Sequence, residues 1–331
     1  MKPTDLSKLL SQAIPARMPV LIKGAPGVGK TDIVTQACEA TGTDLIVSHP
    51  VVDEPIDYKG LPYVKDDHAE FLPFGSLRQL IEADRPTVYF MDDLGQAPPT
   101  VQAAAMQLIL ARRINGYQVS DHVTFIAATN RKQDKAGVSG ILEPVKSRFV
   151  TIVELEPDLD DWIRWAGLNS VPAELIAFIR FRPQLLFDFA PSVDMTNSPC
   201  PRTVHNVARL MALNLSENLE FEAFAGAAGD GFAAELCGFL RIYRQLPDPN
   251  LILLDPKGAA APTDPATLYA VCAALSRRAC PDNMDALVAY ANRLPDEFSV
   301  LLITDCERQN PGIVNTRAYA QWTARHHEVM S

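Results

Sequence analysis

Apolar positions in the first half of the chain come as short unbroken runs, separated by stretches in which they recur at helical spacing. The runs Val20–Lys23, Asp44–Ser48, Thr87–Asp92, Val123–Ala128 and Phe149–Val153 are mostly apolar continuously rather than alternately. That is the pattern of strands buried on both faces, as in a parallel sheet covered by helices. Five of them predict an α/β core with a doubly wound, parallel five-stranded sheet. Pro99–Arg113, rich in alanine, leucine and methionine, reads as a helix. Asn115-Gly116, flanked by Ile114 and Tyr117, carries the residues of a two-residue hairpin turn. Asp53–Ser76 has proline, glycine and aromatic residues but little periodicity, which marks a functional insertion rather than a linker.

After Glu156-Pro157 the pattern becomes helical only. Leu159–Ala166 is expected to stop at Gly167, Pro172–Phe181 before Pro183, and Arg202–Leu213 to open at Pro201. The chain thus divides into a core over 1–157, a helical lid over 158–245, a proline-rich linker over 246–265 and a helical C-terminal extension over 266–331.

Composition narrows the class. Of 331 residues, 47% are hydrophobic and 21% charged, which is ordinary globular usage and points away from disorder. No apolar run approaches the roughly 18 residues of a membrane span, and the opening MKPTDLSKLLSQAIPAR has no signal-peptide core, so no membrane insertion and a cytoplasmic location are expected. The six cysteines are scattered without C-x-x-C or zinc spacing, and His326-His327 reads as a solvated helix end. No transition metal is predicted. A formal charge of −10 favours a protein partner over nucleic acid.

Three strand ends carry chemistry. Gly24-Ala25-Pro26-Gly27-Val28-Gly29-Lys30-Thr31 fits G-x-x-x-x-G-K-[ST] between an apolar strand and a helix beginning near Asp32. The glycines let backbone N–H groups face a phosphate, Lys30 reaches the β- and γ-oxygens of ATP, and the Thr31 hydroxyl ligates Mg²⁺. TVYFMDD ends in Asp92, which would hold the Mg²⁺, and Asp93, which would polarise the attacking water. Two acids ending a strand more often cap a turn; the preceding Gly-rich loop reverses those odds. HVTFIAATN ends in Asn130, an amide able to bond that water or the γ-phosphate.

Taken in order, the Gly-rich loop with Pro26, the doubled acid, Asn130, KSRF at Lys146–Phe149 and PRT at Pro201–Thr203 resemble an AAA+ ATPase, and most of all the MoxR branch. Asp53–Ser76 and the hairpin at Arg113–Val119 occupy the places where that branch carries an insertion and a hairpin. The resemblance spans roughly residues 15 to 215. It implies that the strand ending in Asp92 lies beside the strand leading into the Gly-rich loop, that Arg148 is an arginine finger reaching a neighbouring subunit's ATP, and that Arg202 touches the γ-phosphate of its own subunit. It further implies a ring-shaped homo-oligomer, usually a hexamer, hydrolysing ATP to remodel a client protein, with a von Willebrand factor A-domain protein as partner. Arg112, Arg113 and Arg131 are rival fingers. Most relatives carry Glu where this chain has Asp93, which predicts slow or partner-dependent hydrolysis. Two alternatives stay open: a nucleic-acid-associated motor, and a scaffold that binds ATP with little hydrolysis.

Overall fold

The computed structural model describes residues 1–134, 140–190 and 195–330. The chain forms two compact units, one built on Met1–Asp161 and the other on Trp162–Asp188 and the chain from 195 onward.

The first unit opens with helix α1 (Pro3–Ala13), which the sequence reading did not anticipate. Pro3 stands in its first turn, where a missing N–H costs nothing, and Leu6, Leu10 and Ala13 line one buried face. Then follow β1 (Val20–Gly24), α2 (Lys30–Thr41) and β2 (Asp44–Ser48). The insertion comes next, as α3 (Pro55–Lys59), β3 (Leu61–Lys65) and β4 (His68–Leu72). After it run α4 (Gly75–Glu82), β5 (Thr87–Met91), α5 (Pro99–Ala111), β6 (Arg113–Ile114), β7 (Tyr117–Gln118), β8 (Val123–Thr129), α6 (Glu143–Lys146) and β9 (Thr151–Leu155).

β1, β2, β5, β8 and β9 make one parallel sheet in the order β2-β5-β8-β1-β9. The five expected strands are present, the last displaced by two residues. Their order corrects one expectation: β8, not β5, lies beside β1. Every position of β5 and of β8 is buried, as the interior of a sheet covered on both sides demands, whereas β2 and β9 at the two edges are partly exposed. Burial separates inner strands from edge strands, and the order among the inner ones is set by the pairing of β1 with β8. Because all five strands run the same way, β1, β5 and β8 end on one edge, and the loops leaving them converge there.

The insertion is more regular than its sequence suggests. Glu54 and Asp57 form a reciprocal capping box that starts α3, and β3 and β4 pair antiparallel from Leu61↔Leu72 to Lys65↔His68. Asp66 and Asp67 turn the corner at φ 48° and 65°, the left-handed pair that a tight hairpin requires. The second hairpin, β6–β7, turns at Asn115 (φ 47°) and Gly116 (φ 90°), as its sequence predicts.

The second unit is helical. α7 (Leu159–Leu168) links the two units and runs through Gly167 instead of stopping at it. It is followed by α8 (Ala173–Phe181), α9 (Pro201–Met211), α10 (Glu217–Ala228), α11 (Asp230–Arg244), α12 (Pro249–Leu254), α13 (Pro265–Ser276), α14 (Met284–Ala291), α15 (Asp296–Gln309) and α16 (Arg317–Met330). The stretch 246–265, read as a linker, contains α12, and its Ile252 is packed in the same core as Leu268, Leu287 and Trp322. Pro249 opens that helix rather than breaking one, and the Asp248 carboxylate accepts from the Asn250 N–H at 2.9 Å. Lid and extension also share an ion pair, Arg180 of α8 with Asp305 of α15. At the tail His326 stacks on Trp322 with ring centroids 4.3 Å apart, so it is packed rather than simply solvated; the side chain of His327 lies outside the described residues. No helix among the described residues is long and apolar enough to cross a membrane.

Candidate functional site

The loop between β1 and α2 begins at Gly24 and ends at Gly29, whose φ of 94° only glycine adopts without strain and which leads directly into the first turn of α2. That first turn holds Lys30, buried, Thr31, half-buried, and Asp32, exposed. Ala25 and Val28 face inward and fix the loop against the core. The start of a 12-residue helix, its first N–H groups without intrahelical partners, is a favourable place for an anion.

Five of the expected side chains meet here. The Lys30 ammonium donates to the Gly24 and Ala25 carbonyls, each at 3.0 Å, and to Asn130 Oδ1 at 2.7 Å. Asn130 Nδ2 in turn donates to Asp93 Oδ1 at 3.0 Å and to Gln96 Oε1 at 3.3 Å. One amide at the end of β8 therefore joins the Gly-rich loop to the acid after β5. Beside it the Thr31 hydroxyl donates to Asp92 Oδ2 at 2.7 Å, while Asp92 Oδ1 accepts from the Asp93 N–H at 3.0 Å. Thr31 and Asp92 thus put two hard oxygen donors side by side, the ligand type Mg²⁺ prefers. Asp93 itself is held at φ 57°, in the left-handed region, a conformation that costs a non-glycine residue of order 1 kcal/mol.

Two residues of this arrangement escaped the sequence reading. Gln96 is the second acceptor for Asn130. Gly95 packs so closely on the end of β8 that any Cβ there would overlap the Thr129 hydroxyl. That close approach is what brings the Asp93 turn within reach of Asn130. A glycine two residues after a doubled acid is a weak signal in sequence, since nothing local says what it must approach.

The arginines separate by their partners. Arg112 donates to the Ser120 carbonyl at 2.5 Å and to the Val123 carbonyl at 3.0 Å and lies over the Phe125 ring; burial pulls its pKa below the usual guanidinium value. Arg131 makes a two-pronged pair with Asp134, 2.9 Å on each bond, and reaches Glu154 at 3.5 Å. Arg113 lies exposed on β6, within 3.3 Å of Gln118 Oε1. Among the described residues Arg148, just after α6, donates to the Ser147 hydroxyl at 3.2 Å, its Nε has no hydrogen-bond partner, and no carboxylate lies within ion-pair distance of it. Arg202 lies exposed in the first turn of α9, in the second unit.

Residues 20–157 match the family model described as ATPase family associated with various cellular activities (AAA), and this part of the chain has the P-loop AAA+ fold. Solved structures with similarity include RuvB of Thermotoga maritima, described as a Holliday junction branch migration motor, at 17% identity over 82% of this chain and 81% of that one, TM-score 0.38. NtrX of Brucella abortus in complex with ADP is similar at 15% identity over 99% of this chain and 67% of that one, TM-score 0.42. Its complex with ATP gives 13% identity over the same shares, TM-score 0.43. No curated protein matches.

Proposed function

We propose that this chain is an AAA+ ATPase that binds Mg-ATP in the loop Gly24–Thr31 and hydrolyses it in a ring, usually a hexamer, to remodel or activate a client protein. The observation that carries the reading is the chain Lys30–Asn130–Asp93 set beside the pair Thr31–Asp92. Lysine, amide and acid converge from three strand ends at one spot, which no salt-bridge or core-packing role requires.

Each residue has a task. Lys30 exchanges the Gly24 and Ala25 carbonyls for phosphate oxygens, while the backbone from Ala25 to Gly29 wraps the phosphate chain. Thr31 and Asp92 would hold Mg²⁺, which would neutralise charge on the phosphates. Asp93 orients and polarises the attacking water, and Asn130 fixes that water relative to Lys30. Arg148, without a carboxylate partner among the described residues of its own chain, serves the ATP of the adjacent subunit. Such an arginine is worth ~10³–10⁵-fold in rate, so catalysis depends on assembly. Arg202 contacts the γ-phosphate of its own subunit. The hairpins β3–β4 and β6–β7, standing where a MoxR-like protein has its insertions, support a protein client, and a von Willebrand factor A-domain protein is the partner of choice.

A second reading rests on Asp93. Its side chain is one methylene shorter than glutamate and its backbone is left-handed, which supports a nucleotide-dependent scaffold with little turnover.

ATP hydrolysis per subunit across a wide protein concentration range, for the native chain, Lys30→Ala and Arg148→Ala, tests both. Turnover that rises with concentration and vanishes in both variants supports the ring ATPase. Tight ATP binding with turnover no higher than in Lys30→Ala supports the scaffold. Stimulation by DNA would instead move the client to nucleic acid.

A further inference from the structure

The end of β2 ties the nucleotide site to both hairpins. The Asp92 N–H donates to the Ser48 carbonyl at 2.9 Å. The Ser48 hydroxyl donates to Asp53 Oδ2 at 2.6 Å, the Tyr58 hydroxyl donates to the same oxygen at 2.7 Å, and the two hydroxyls lie 2.9 Å apart. Tyr58 is the buried anchor of α3, 1% exposed, and α3 leads through Gly60 straight into β3. One residue beyond Tyr58, the Lys59 carbonyl accepts from Asn115 Nδ2 at 2.8 Å, so the tip of the second hairpin is fastened to the root of the first.

This cluster is built to have more than one arrangement. Each hydroxyl carries a single proton, so while Ser48 and Tyr58 both donate to Asp53 the contact between their own oxygens holds none, and the neighbouring Tyr89 hydroxyl, which bonds both, offers a further partner. Rotating either hydroxyl moves that deficit without breaking the fold. Burial, first of all, holds the Tyr58 phenol protonated, so the cluster keeps both protons at neutral pH. Close-packed interiors resist such rearrangement, but here a cavity of about 250 Å³ borders the cluster, lined by Ser48, Asp53, Phe74 and Tyr89 among others. It gives Asp53 room to shift.

We infer that Ser48, Asp53, Tyr58 and Asn115 are positioning residues that couple Asp92 to the two hairpins, so that the hairpins β3–β4 and β6–β7 respond to bound nucleotide together rather than independently. The inference rests on the reading of Asp92 as part of an ATP site. A ligand that draws Asp92 toward itself pulls on the Ser48 carbonyl, the hydroxyl cluster changes partner, and α3 carries the change to β3 and, through Lys59, to Asn115. The coupling needs no contact between either hairpin and the nucleotide.

Hydrogen–deuterium exchange of the full chain, with and without Mg²⁺ and a non-hydrolysable ATP analogue, tests this in the native sequence, Tyr58→Phe and Asn115→Gly. Phenylalanine keeps the ring packed, and glycine keeps the left-handed turn while removing the amide donor. In the native chain the analogue should slow exchange over residues 24–31 and change it over 61–72 and 113–118. Tyr58→Phe should keep the protection at 24–31 and lose the response of both hairpins. Asn115→Gly should lose only the response at 113–118. Protection at 24–31 with hairpins that never respond, or that respond equally in Tyr58→Phe, overturns the coupling while leaving the ATP site standing. No protection at 24–31 overturns the ATP site, and the coupling with it.

Discussion

Asn130 Oδ1 accepts a hydrogen bond from Lys30 Nζ at 2.7 Å across 100 residues of sequence, while the same amide gives its protons to Asp93 and Gln96. A carboxylate in place of Asn130 could accept from Lys30 but would have nothing to donate to Asp93. The amide is therefore matched to its place, and the first prediction concerns it. Asn130→Ala should lower kcat by about 10²-fold, as loss of one preorganised donor does, with ATP affinity changed far less. Equilibrium binding of a fluorescent ATP analogue beside steady-state hydrolysis separates the two quantities. An equal loss in both would mean that Asn130 only shapes the pocket.

The role proposed for Asp93 makes it the residue that sets the speed. Asp93→Asn should drop turnover to the level of Lys30→Ala. Asp93→Glu should raise kcat by about tenfold, since the longer side chain restores reach toward the water. The same substitution should lower thermal stability slightly, because aspartate, whose short polar side chain can bond locally, adopts the left-handed backbone there more readily than glutamate. A slower Asp93→Glu enzyme would count against the role given to this carboxylate.

On the proposed reading, in which Arg148 and Lys30 serve one ATP from two subunits, their variants should rescue one another. Arg148→Ala keeps an intact nucleotide loop, and Lys30→Ala keeps an intact arginine. An equal mixture should recover about a quarter of native turnover, the chance that an intact loop neighbours an intact arginine in a randomly mixed ring. Silence of the mixture, once subunit exchange is confirmed by native mass spectrometry, would place Arg148 in its own subunit's site or in none.

Arg112 is a structural clamp. Replacing it by alanine removes two hydrogen bonds to carbonyls and a cation over Phe125, which should cost about 2–4 kcal/mol of stability. Urea unfolding of Arg112→Ala should show the loss, while the folded variant, with Lys30 and Arg148 intact, should keep its turnover; a folded Arg112→Ala chain as inactive as Arg148→Ala would contradict the structural role.

Glu154 reports on pH. The hydrogen bond from Lys23, followed by Arg131, holds its carboxyl below the ordinary value of 4.5. A folded-state pKa below the unfolded one contributes stability that is present above about pH 4.5 and is lost as the pH falls through the folded value. Glu154→Gln should therefore be less stable than the native chain at neutral pH and approach it as the solution is acidified. A stability difference constant from pH 7 to pH 3 would contradict this.

What the sequence determined by itself is what neighbouring residues decide. Continuous apolar runs specify strands buried on both faces, Asn115-Gly116 specifies a left-handed turn, and Gly24–Thr31 specifies a loop whose backbone can face a phosphate, because each depends on the conformational preferences and solvation of a few adjacent residues. The β3–β4 hairpin was missed because its turn is made by Asp66-Asp67, which adopts positive φ less readily than a glycine pair and so signals it weakly. Only the tertiary structure decided that β8 lies between β5 and β1, that α12 belongs to a core rather than a linker, and that Arg112 and Arg131 are engaged within the chain while Arg148 has no carboxylate beside it among the described residues. It also decided that Ser48, Tyr58 and Asn115 stand between the strand ends and the hairpins. These facts hang on hydrogen bonds and packing between residues far apart in the chain, whose partners are chosen by the fold as a whole and leave no mark on the local sequence.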